Sequence, residues 1–250
     1  MTSITLYHSM FSTCSQKVRY LLAIKGLEYE SRLVSLPEGE QLEDWYLAIN
    51  PNGVVPSLVH NGEPIIDSSV ICEYLDEVFP DIALTPSGPV ARARMRAWMR
   101  YFEEVPTAAI RAPSFNALFA RNIVGKGDAE NRRRGERMPL RKHFYAKLGP
   151  QGFPREMVEE STEKLAACIA RVDRTCRDRG PYLLGPQLTI ADITLLPTIV
   201  RMEDIGMDQL WRDSPSVAHW FALMKSNPAF DRAYPSGSRF NRATRTATAP

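Results

Sequence analysis

The fold is decided by residues 51–68, whose sequence reads PNGVVPSLVHNGEPIIDS. Two short apolar runs, at 57–60 and 64–66, are joined there by Asn61-Gly62. Asn-Gly is the favoured two-residue hairpin turn because both of its central positions need a positive φ. The stretch therefore predicts two antiparallel strands, followed by a helix that opens at Asp67-Ser68.

The segment before this hairpin predicts a strand, a helix and a second strand. Residues 4–7 alternate apolar and polar side chains, as a short strand does. Apolar residues then recur at helical spacing over 18–22, the helix stops at Lys25-Gly26, and a strand is predicted over 29–34. The order β-α-β, a connection and β-β-α is that of a thioredoxin-like domain, which we assign to residues 1–80.

The rest of the chain shows helical periodicity and almost no strand-like alternation. Residues 81–89 are rich in proline and indicate a linker. From 90 to 250 the apolar residues recur at helical spacing, for example between Met95 and Phe102. The sequence therefore predicts an α+β thioredoxin-like N-terminal domain followed by an all-α C-terminal domain. The Arg- and Gly-rich stretch 120–151 exceeds a usual helix connection and indicates a functional insertion or a lid.

Composition and charge exclude several classes of protein. The net charge is +2, from 31 basic and 29 acidic residues, and a nucleic-acid binder would need a clear basic excess. The arginine-rich segment 132–142 is a local exception that indicates a solvated surface. No apolar run approaches the ~18 residues of a membrane helix, and the N-terminus has no signal-peptide pattern, so we expect a cytoplasmic protein. The four cysteines form no C-x-x-C pair, which predicts free thiols and no zinc site.

The turn Ser12-Thr13-Cys14-Ser15 precedes the first predicted helix. A helix N-terminus offers unpaired N–H groups and partial positive charge, which suit a bound thiolate. One hydroxyl hydrogen bond and the helix end together could supply the ~2.7 kcal/mol that lowers a thiol pKa by about two units. The alternative is an ordinary Ser or Thr helix cap.

Two further features suit a peptide-like ligand. Val55-Pro56 at a strand start is compatible with a cis bond, and the backbone of Val55 could pair with a ligand as an added strand would. The alternative is a trans proline at a strand edge. Asp67 can bind an ammonium group, and Ser68 with the helix N-terminus can bind a carboxylate, so together they suit a ligand that carries both groups. The alternative is again a helix cap.

Taken together, these motifs resemble the glutathione transferase superfamily. They occur in the order of that family and span most of the chain: Ser12-Thr13-Cys14-Ser15, Asn50-Pro51-x-Gly53-x-Val55-Pro56, Asp67-Ser68-x-x-Ile71-x-x-Tyr74-Leu75 and the helix-capping Thr189-Ile190-Ala191-Asp192. The resemblance implies that the first domain binds glutathione as co-substrate, that the proline is cis, and that the helical domain forms the pocket for an electrophile.

A finer resemblance concerns the bacterial lignin β-etherases, which use glutathione to break the β-aryl ether of α-keto dimers. It rests on four segments: Asp44-Trp45, Val70-Ile71-Cys72-Glu73-Tyr74-Leu75, Val78-Phe79-Pro80 and Gly152-Phe153-Pro154-x-Glu156-Met157. The last of these lies in the variable helical domain. The turn at Ser12 instead resembles Ser-Ser-Cys of the zeta class, the maleylacetoacetate isomerases.

The resemblance implies a role for each candidate site residue. Ser12 would donate a hydrogen bond to the glutathione thiolate, with Ser15 as the alternative donor. The remaining contacts would come from Val55 with Pro56 to the cysteinyl backbone, Asp67 and Ser68 to the γ-glutamyl end, and Gln41 to the glycyl end. Candidates for an aromatic-substrate pocket, of which about half are expected to be core on composition grounds, are Met10, Phe11, Met99, Phe102, Phe115 and Phe119.

The predicted function is attack of the glutathione thiolate on a small aromatic electrophile, with cleavage of a β-aryl ether as the favoured reaction. The alternatives are a zeta-like cis-trans isomerase, a reductase acting through Cys14, and a non-catalytic glutathione-fold subunit. The family resemblance implies a homodimer, with a heterodimer of related chains as the alternative. No nucleic acid, membrane or metal is expected as a partner.

Overall fold

A four-stranded mixed sheet forms the first part of the computed structural model, which describes residues 3–119 and 136–240. The strands lie in the order β2-β1-β3-β4, with β1 parallel to β2 and antiparallel to β3, and with β3 antiparallel to β4. Asn61 and Gly62 join the last two strands with φ values of 52° and 90°, which confirms the predicted hairpin. The strands are β1 (Ile4–His8), β2 (Glu30–Leu33), β3 (Ser57–His60) and β4 (Glu63–Ile66).

Helices cover this sheet and begin at the two predicted turns. Ser12 is the N-cap of the first long helix, and Asp67 is the N-cap of the helix that follows the hairpin. The helices of this part are α1 (Thr13–Ile24), α2 (Asp44–Leu47) and α3 (Ser68–Val78), with a 3-10 turn at Glu40–Leu42.

The second part is helical, as predicted. Within its described residues the only β-type pairings are two isolated bridges, Gly149 with Gly152 and Tyr182 with Gly185. The helices are α4 (Pro89–Glu104), α5 (Pro106–Ala109), α6 (Arg111–Ser114), α7 (Lys142–Tyr145), α8 (Arg155–Arg179), α9 (Ile190–Asp204), α10 (Pro215–Ser226) and α11 (Ala229–Ala233), with a π-helical turn at Phe115–Phe119 and a 3-10 turn at Asp208–Trp211. None of the helices that the structure describes is long and apolar enough to cross a membrane.

The proposed insertion 120–151 is described only in part. Residues 120–135, with the arginine run at 132–134, lie outside the described residues. The remainder carries α7 and the bridge between Gly149 and Gly152.

One continuous hydrophobic core joins the two parts. Helix α1 packs on the sheet side against α3 and on the helical side against α9 and α11. The Tyr20 hydroxyl on α1 donates to the carbonyl of Met224, 2.8 Å away on α10. Met99 and Phe102 are 3% and 0% exposed within this core, so these two of the pocket candidates are core residues, as was expected for about half of that set. The apolar face of α4, which carries both side chains, is buried against α9.

The start of α9 is held by the capping box predicted at Thr189–Asp192. The buried Asp192 carboxylate accepts four hydrogen bonds at 2.8–3.0 Å: the N–H and hydroxyl of Thr189, the N–H of Leu183 and the indole N–H of Trp220. This one carboxylate therefore joins the loop before α9, the first turn of α9, and α10.

Candidate functional site

Arg19 holds the loop before Ser12 in place through hydrogen bonds to its backbone. The Arg19 guanidinium donates to the carbonyls of Ser9 and Met10 at 3.4 and 3.1 Å, and its Nε donates to the carbonyl of Ala233 at 3.0 Å. It also donates to Nδ1 of His8 at 3.2 Å, so the His8 proton lies on Nε2 and is donated to the Ser31 hydroxyl at 2.7 Å. The end of β1 and the loop after it are thus fixed before α1 begins.

His8 makes this anchor sensitive to acid. Burial, and then the charge of Arg19, lower the pKa of His8 to about 4. An unfolded histidine titrates near 6.5, so the folded state favours the neutral ring; this stabilisation is complete above pH ~6.5 and is lost as the pH falls towards 4. We expect the free energy of unfolding to fall by roughly 2–3 kcal/mol from this group between pH 7 and 4.5. Denaturant unfolding of the parent chain and of His8→Gln at both pH values measures this contribution, as the difference between the two proteins in how the free energy of unfolding changes with pH. An equal pH dependence in both proteins would refute the assignment.

Ser12 and Ser15 differ sharply in accessibility. The Ser12 hydroxyl oxygen accepts the N–H of Ser15 at 3.2 Å and is partly exposed, so its own proton is available to a ligand. Ser15 is fully buried, and its hydroxyl oxygen accepts the N–H of Ser9 at 3.3 Å. The geometry favours Ser12 as the hydroxyl that faces a ligand, while the buried Ser15 stabilises the turn by its hydrogen bond to Ser9.

The backbone at Val55 has unpaired hydrogen-bonding groups next to a cis proline. The Val55-Pro56 bond is cis, as the resemblance implied. Tyr46 and Asn50 donate to the carbonyl of Val54 at 2.8 and 2.9 Å, which holds the preceding peptide in place. Within residues 3–119 and 136–240, the N–H and C=O of Val55 make no hydrogen bond, so both are available for strand-type pairing.

Asp67 stands in a backbone conformation that non-glycine residues rarely adopt. Its φ is 71°, and its carboxylate accepts the N–H groups of Ser69 and Val70 at 2.9 and 3.1 Å. The residue is exposed, and non-glycine residues at positive φ concentrate at ligand sites. Asp67 therefore caps α3, which is the alternative weighed from the sequence, and its exposed position beside Ser68 leaves ammonium binding as a prediction.

A buried ion pair positions the Ser68 hydroxyl. This pair was not predicted from the sequence. Lys17 of α1, 2% exposed, pairs with Glu103 of α4 and donates to the hydroxyls of Ser68 and Ser69 at 3.0 and 3.1 Å. Burial by itself would lower the pKa of Lys17. The opposing effect comes mainly from the charge of Glu103, and the pKa of Lys17 lies above its ordinary value. Because Lys17 can only donate, the Ser68 hydroxyl accepts from it and keeps its own proton for a ligand. Eighty-six residues separate the pair, and no local pattern signals it.

Gln41 is buried at the edge of the same surface. It is 2% exposed, and its Oε1 has no hydrogen-bond partner among the described residues. Arg137 reaches the neighbouring carbonyl of Leu42 at 3.1 Å, so the segment before α7 lies against this edge of the first part. A buried amide oxygen without a partner fits a ligand N–H, which is what a glycyl peptide group offers.

Phe153 is buried in an aromatic cluster with Phe115 and Phe144 in the helical part. Asn116 exchanges two hydrogen bonds with the backbone of Phe153, at 2.8 and 2.9 Å. Gly152 has a φ of 102°, and a Cβ there would lie 2.4 Å from Asn116 Oδ1, which explains the glycine. The Phe153 ring contacts Phe144 and Phe115, with centroid distances of 4.5 and 5.3 Å.

The other predicted pocket residues are placed as follows. Phe115 and Met10 are partly exposed. Phe11 is partly exposed and stacks on Phe240, with a centroid distance of 4.3 Å. The side chain of Phe119 lies outside the described residues.

All four cysteines are free, as predicted, and only Cys14 reaches the surface. Burial raises the pKa of Cys72, Cys168 and Cys176 to about 12 each, so these thiols stay protonated. A reductase acting through a cysteine would have to use Cys14 alone.

Family models match both parts of the chain. A model of the glutathione S-transferase N-terminal domain matches residues 11–78, and one of the C-terminal domain matches residues 156–223. The co-substrate of that family is glutathione. The groups just described at Ser12, Val55, Ser68 and Gln41 fit its thiol, peptide and carboxylate groups.

Individual relatives and solved structures support the same family as the two models. The chain is 29% identical to protein LigF of Sphingobium sp., over 86% of each chain. It is 30% identical to maleylacetoacetate isomerase of Pseudomonas aeruginosa, over 92% of this chain and 95% of that protein. The crystal structure of β-etherase LigF from Sphingobium sp. strain SYK-6 superposes with a TM-score of 0.81 at 28% identity, covering 93% of this chain and 98% of that one. With its thioredoxin-like sheet, its helical second part and both family models in place, the chain belongs to the glutathione S-transferase family.

Proposed function

We propose that this protein is a glutathione-dependent β-etherase, which cleaves β-aryl ethers that carry an α-ketone. The observation that supports it best is the aromatic cluster at Phe153, because its Gly-Phe-Pro-x-Glu-Met segment is the one that resembles the lignin β-etherases. The similarity to LigF over 86% of each chain supports the same reaction.

In this proposal the residues of the first part hold glutathione in one orientation. Ser12 donates its free proton to the sulfur, and the N-terminus of α1 adds partial positive charge. Val55 pairs with the cysteinyl backbone, and Asp67 with Ser68 holds the γ-glutamyl end. Gln41 reaches the glycyl end, where its unpartnered Oε1 accepts an N–H.

The chemistry is a nucleophilic displacement for which glutathione supplies a thiolate. A carbon–sulfur bond forms at the β-carbon while the carbon–oxygen ether bond breaks, and the phenolate leaves with the bonding electrons and takes a proton from water. The α-ketone withdraws electron density from the attacked carbon. The protein contributes proximity and a pre-ionised nucleophile.

We expect an α-keto β-aryl ether to release its phenol in the presence of glutathione, and the corresponding α-alcohol to react far more slowly. The alcohol lacks the electron-withdrawing carbonyl beside the attacked carbon, so its transition state is less stabilised. The assay offers both compounds, each β-enantiomer separately, and follows phenol release with and without glutathione. Cys14→Ala serves as the control for the reductase alternative and is expected to keep most of the activity.

The zeta-like isomerase is the second candidate, and two observations favour it. The Ser12-Thr13-Cys14-Ser15 turn is of that type, and the isomerase of Pseudomonas aeruginosa is 30% identical. If neither ketone enantiomer is cleaved while maleylacetone is isomerised, this candidate replaces the β-etherase. If this chain alone is inactive on both but active with a related chain, the non-catalytic subunit is the better description.

The assembly and location stay predictions. Glutathione transferases are usually dimers, so we propose a homodimer, with a heterodimer of related chains as the alternative. We propose a cytoplasmic location on the sequence pattern alone.

A further inference from the structure

Two arginines that are distant in sequence lie near each other, next to the aromatic cluster around Phe153. Arg111 opens α6, and the N–H of Phe115 bonds back to the Arg111 carbonyl. Arg141 precedes α7, and the N–H of Tyr145 bonds back to its carbonyl at 3.1 Å. Each arginine therefore lies one helical turn before an aromatic residue on the same face.

The two aromatic rings meet, which brings the two arginines together. The Phe115 and Tyr145 rings lie edge to face, with centroids 6.0 Å apart. Burial lowers the pKa of Arg111, and the charge of Arg141 lowers it further. Weaker electrostatic interactions with Cys14, Tyr145 and Glu103 indicate that Arg111 lies near the Ser12 turn.

This pair of positive charges is not neutralised within the described part of the chain. Neither guanidinium forms an ion pair there, and Arg141 Nε is buried without a hydrogen-bond partner. Glu103, the acidic group that Arg111 interacts with, is already bound by Lys17 and by the Ser69 hydroxyl. Two partly buried like charges with no counter-ion among the described residues repel one another, and an anion that bridges them relieves this cost.

We propose that Arg111 and Arg141 bind a carboxylate on the electrophile, so that the preferred substrates are aromatic acids. This rests on the proposed glutathione-dependent function and names the substrate class within it. The planar guanidinium groups match a carboxylate in bidentate geometry, and the edges of Phe115 and Tyr145 suit the attached aromatic ring. The glycyl carboxylate of glutathione is the other source of the same chemistry. Gln41, the residue proposed for that end, is next to Leu42, whose carbonyl accepts a hydrogen bond from Arg137. The glycyl end is therefore expected beside Arg137 and not beside Arg111 and Arg141.

The test compares two stable conjugates that need no ether chemistry, S-(4-carboxybenzyl)glutathione and S-benzylglutathione. Isothermal titration calorimetry measures their dissociation constants, and that of glutathione, with the full-length chain. We expect the carboxylated conjugate to bind roughly tenfold to a hundredfold more tightly, as one charge-assisted carboxylate contact provides. Arg111→Gln should remove most of this preference and leave glutathione binding unchanged, while Arg111→Lys should restore part of it.

Arg141→Gln gives an independent variant, since a substitution at Arg111 alters a helix packed in the domain. Arg155→Gln is the matched control: it removes one positive charge from an exposed arginine that already pairs with Glu159, and it should keep the full preference. Equal affinities of the two conjugates for the parent chain would overturn the proposal. So would a loss of affinity for glutathione itself in both arginine variants, which would assign the pair to the glycyl carboxylate. If the conjugate preference is present but no ether is cleaved, the carboxylate site stands and the β-etherase reaction fails.

Discussion

Asp192→Ala is expected to lower the free energy of unfolding by roughly 3–5 kcal/mol, because it leaves several buried donors without an acceptor. The carboxylate accepts hydrogen bonds from Thr189, Leu183 and Trp220, and it is fully buried. Alanine offers no acceptor, and the space is too enclosed for the donors to turn to solvent.

The measurement is a denaturant titration at neutral pH, followed by circular dichroism and by tryptophan fluorescence. Asp192→Asn, which keeps one acceptor oxygen, should lose less stability than the alanine variant. Asp178→Ala is the matched control, since Asp178 is exposed on α8 and its removal should change stability by no more than ~0.5 kcal/mol. A loss below ~1 kcal/mol for Asp192→Ala would show that the capping box contributes little.

The loss would extend to the site. Helix α9 packs directly against α1, whose N-terminus carries the Ser12 turn, and Arg201 of α9 donates to the carbonyl of Phe11. A chain that cannot hold the start of α9 therefore loses the support behind its glutathione site. We expect activity and folded fraction to fall together in this variant, with an unchanged KM in the fraction that stays folded.

Ser12→Ala should raise the pKa of bound glutathione and reduce kcat/KM roughly tenfold to a hundredfold. The substitution removes one charge-assisted hydrogen bond to a thiolate, which contributes about 1.5–3 kcal/mol. The change in pKa is followed by thiolate absorbance as the pH is varied with glutathione bound. Turnover is measured with the α-keto ether, or with a generic chlorinated aromatic electrophile if the ether is not a substrate.

The same serine caps α1, so the two roles need separate variants. Alanine also removes the acceptor for the Ser15 N–H, at a cost of about 1 kcal/mol in stability. Ser12→Asp keeps a good cap but has no proton to donate and repels a thiolate, so it should be stable and at least as inactive. Ser12→Thr should retain both roles. If Ser12→Ala titrates bound thiol as the parent does and Ser15→Ala does not, Ser15 is the donor after all.

Local chemistry is what the sequence by itself determined about this protein. The Asn61-Gly62 hairpin, the N-caps at Ser12 and Asp67, and the capping box at Thr189–Asp192 were all predictable. Each depends on hydrogen bonds or backbone conformations among residues within a few positions of one another. The order of these motifs also sufficed for the fold class, because the strand and helix periods differ along the chain.

Only the tertiary structure decided which of these residues can face a ligand. Ser12 and Ser15 are equivalent in a turn pattern, but packing of α1 buries Ser15 completely and leaves Ser12 partly exposed. Met99 and Phe102 look like any apolar helix face, and the direction of α4 made them core. The choice depends on how whole helices pack, which no short stretch of sequence specifies.

The charged pairs show the same limit. Lys17 of α1 meets Glu103 of α4 beside Ser68, and Arg111 lies near Arg141 where the rings of Phe115 and Tyr145 pack together. Neither pair has a spacing that a sequence pattern could recognise. Electrostatic interactions of this kind depend on distance and burial, and both are set when helices far apart in the chain come into contact.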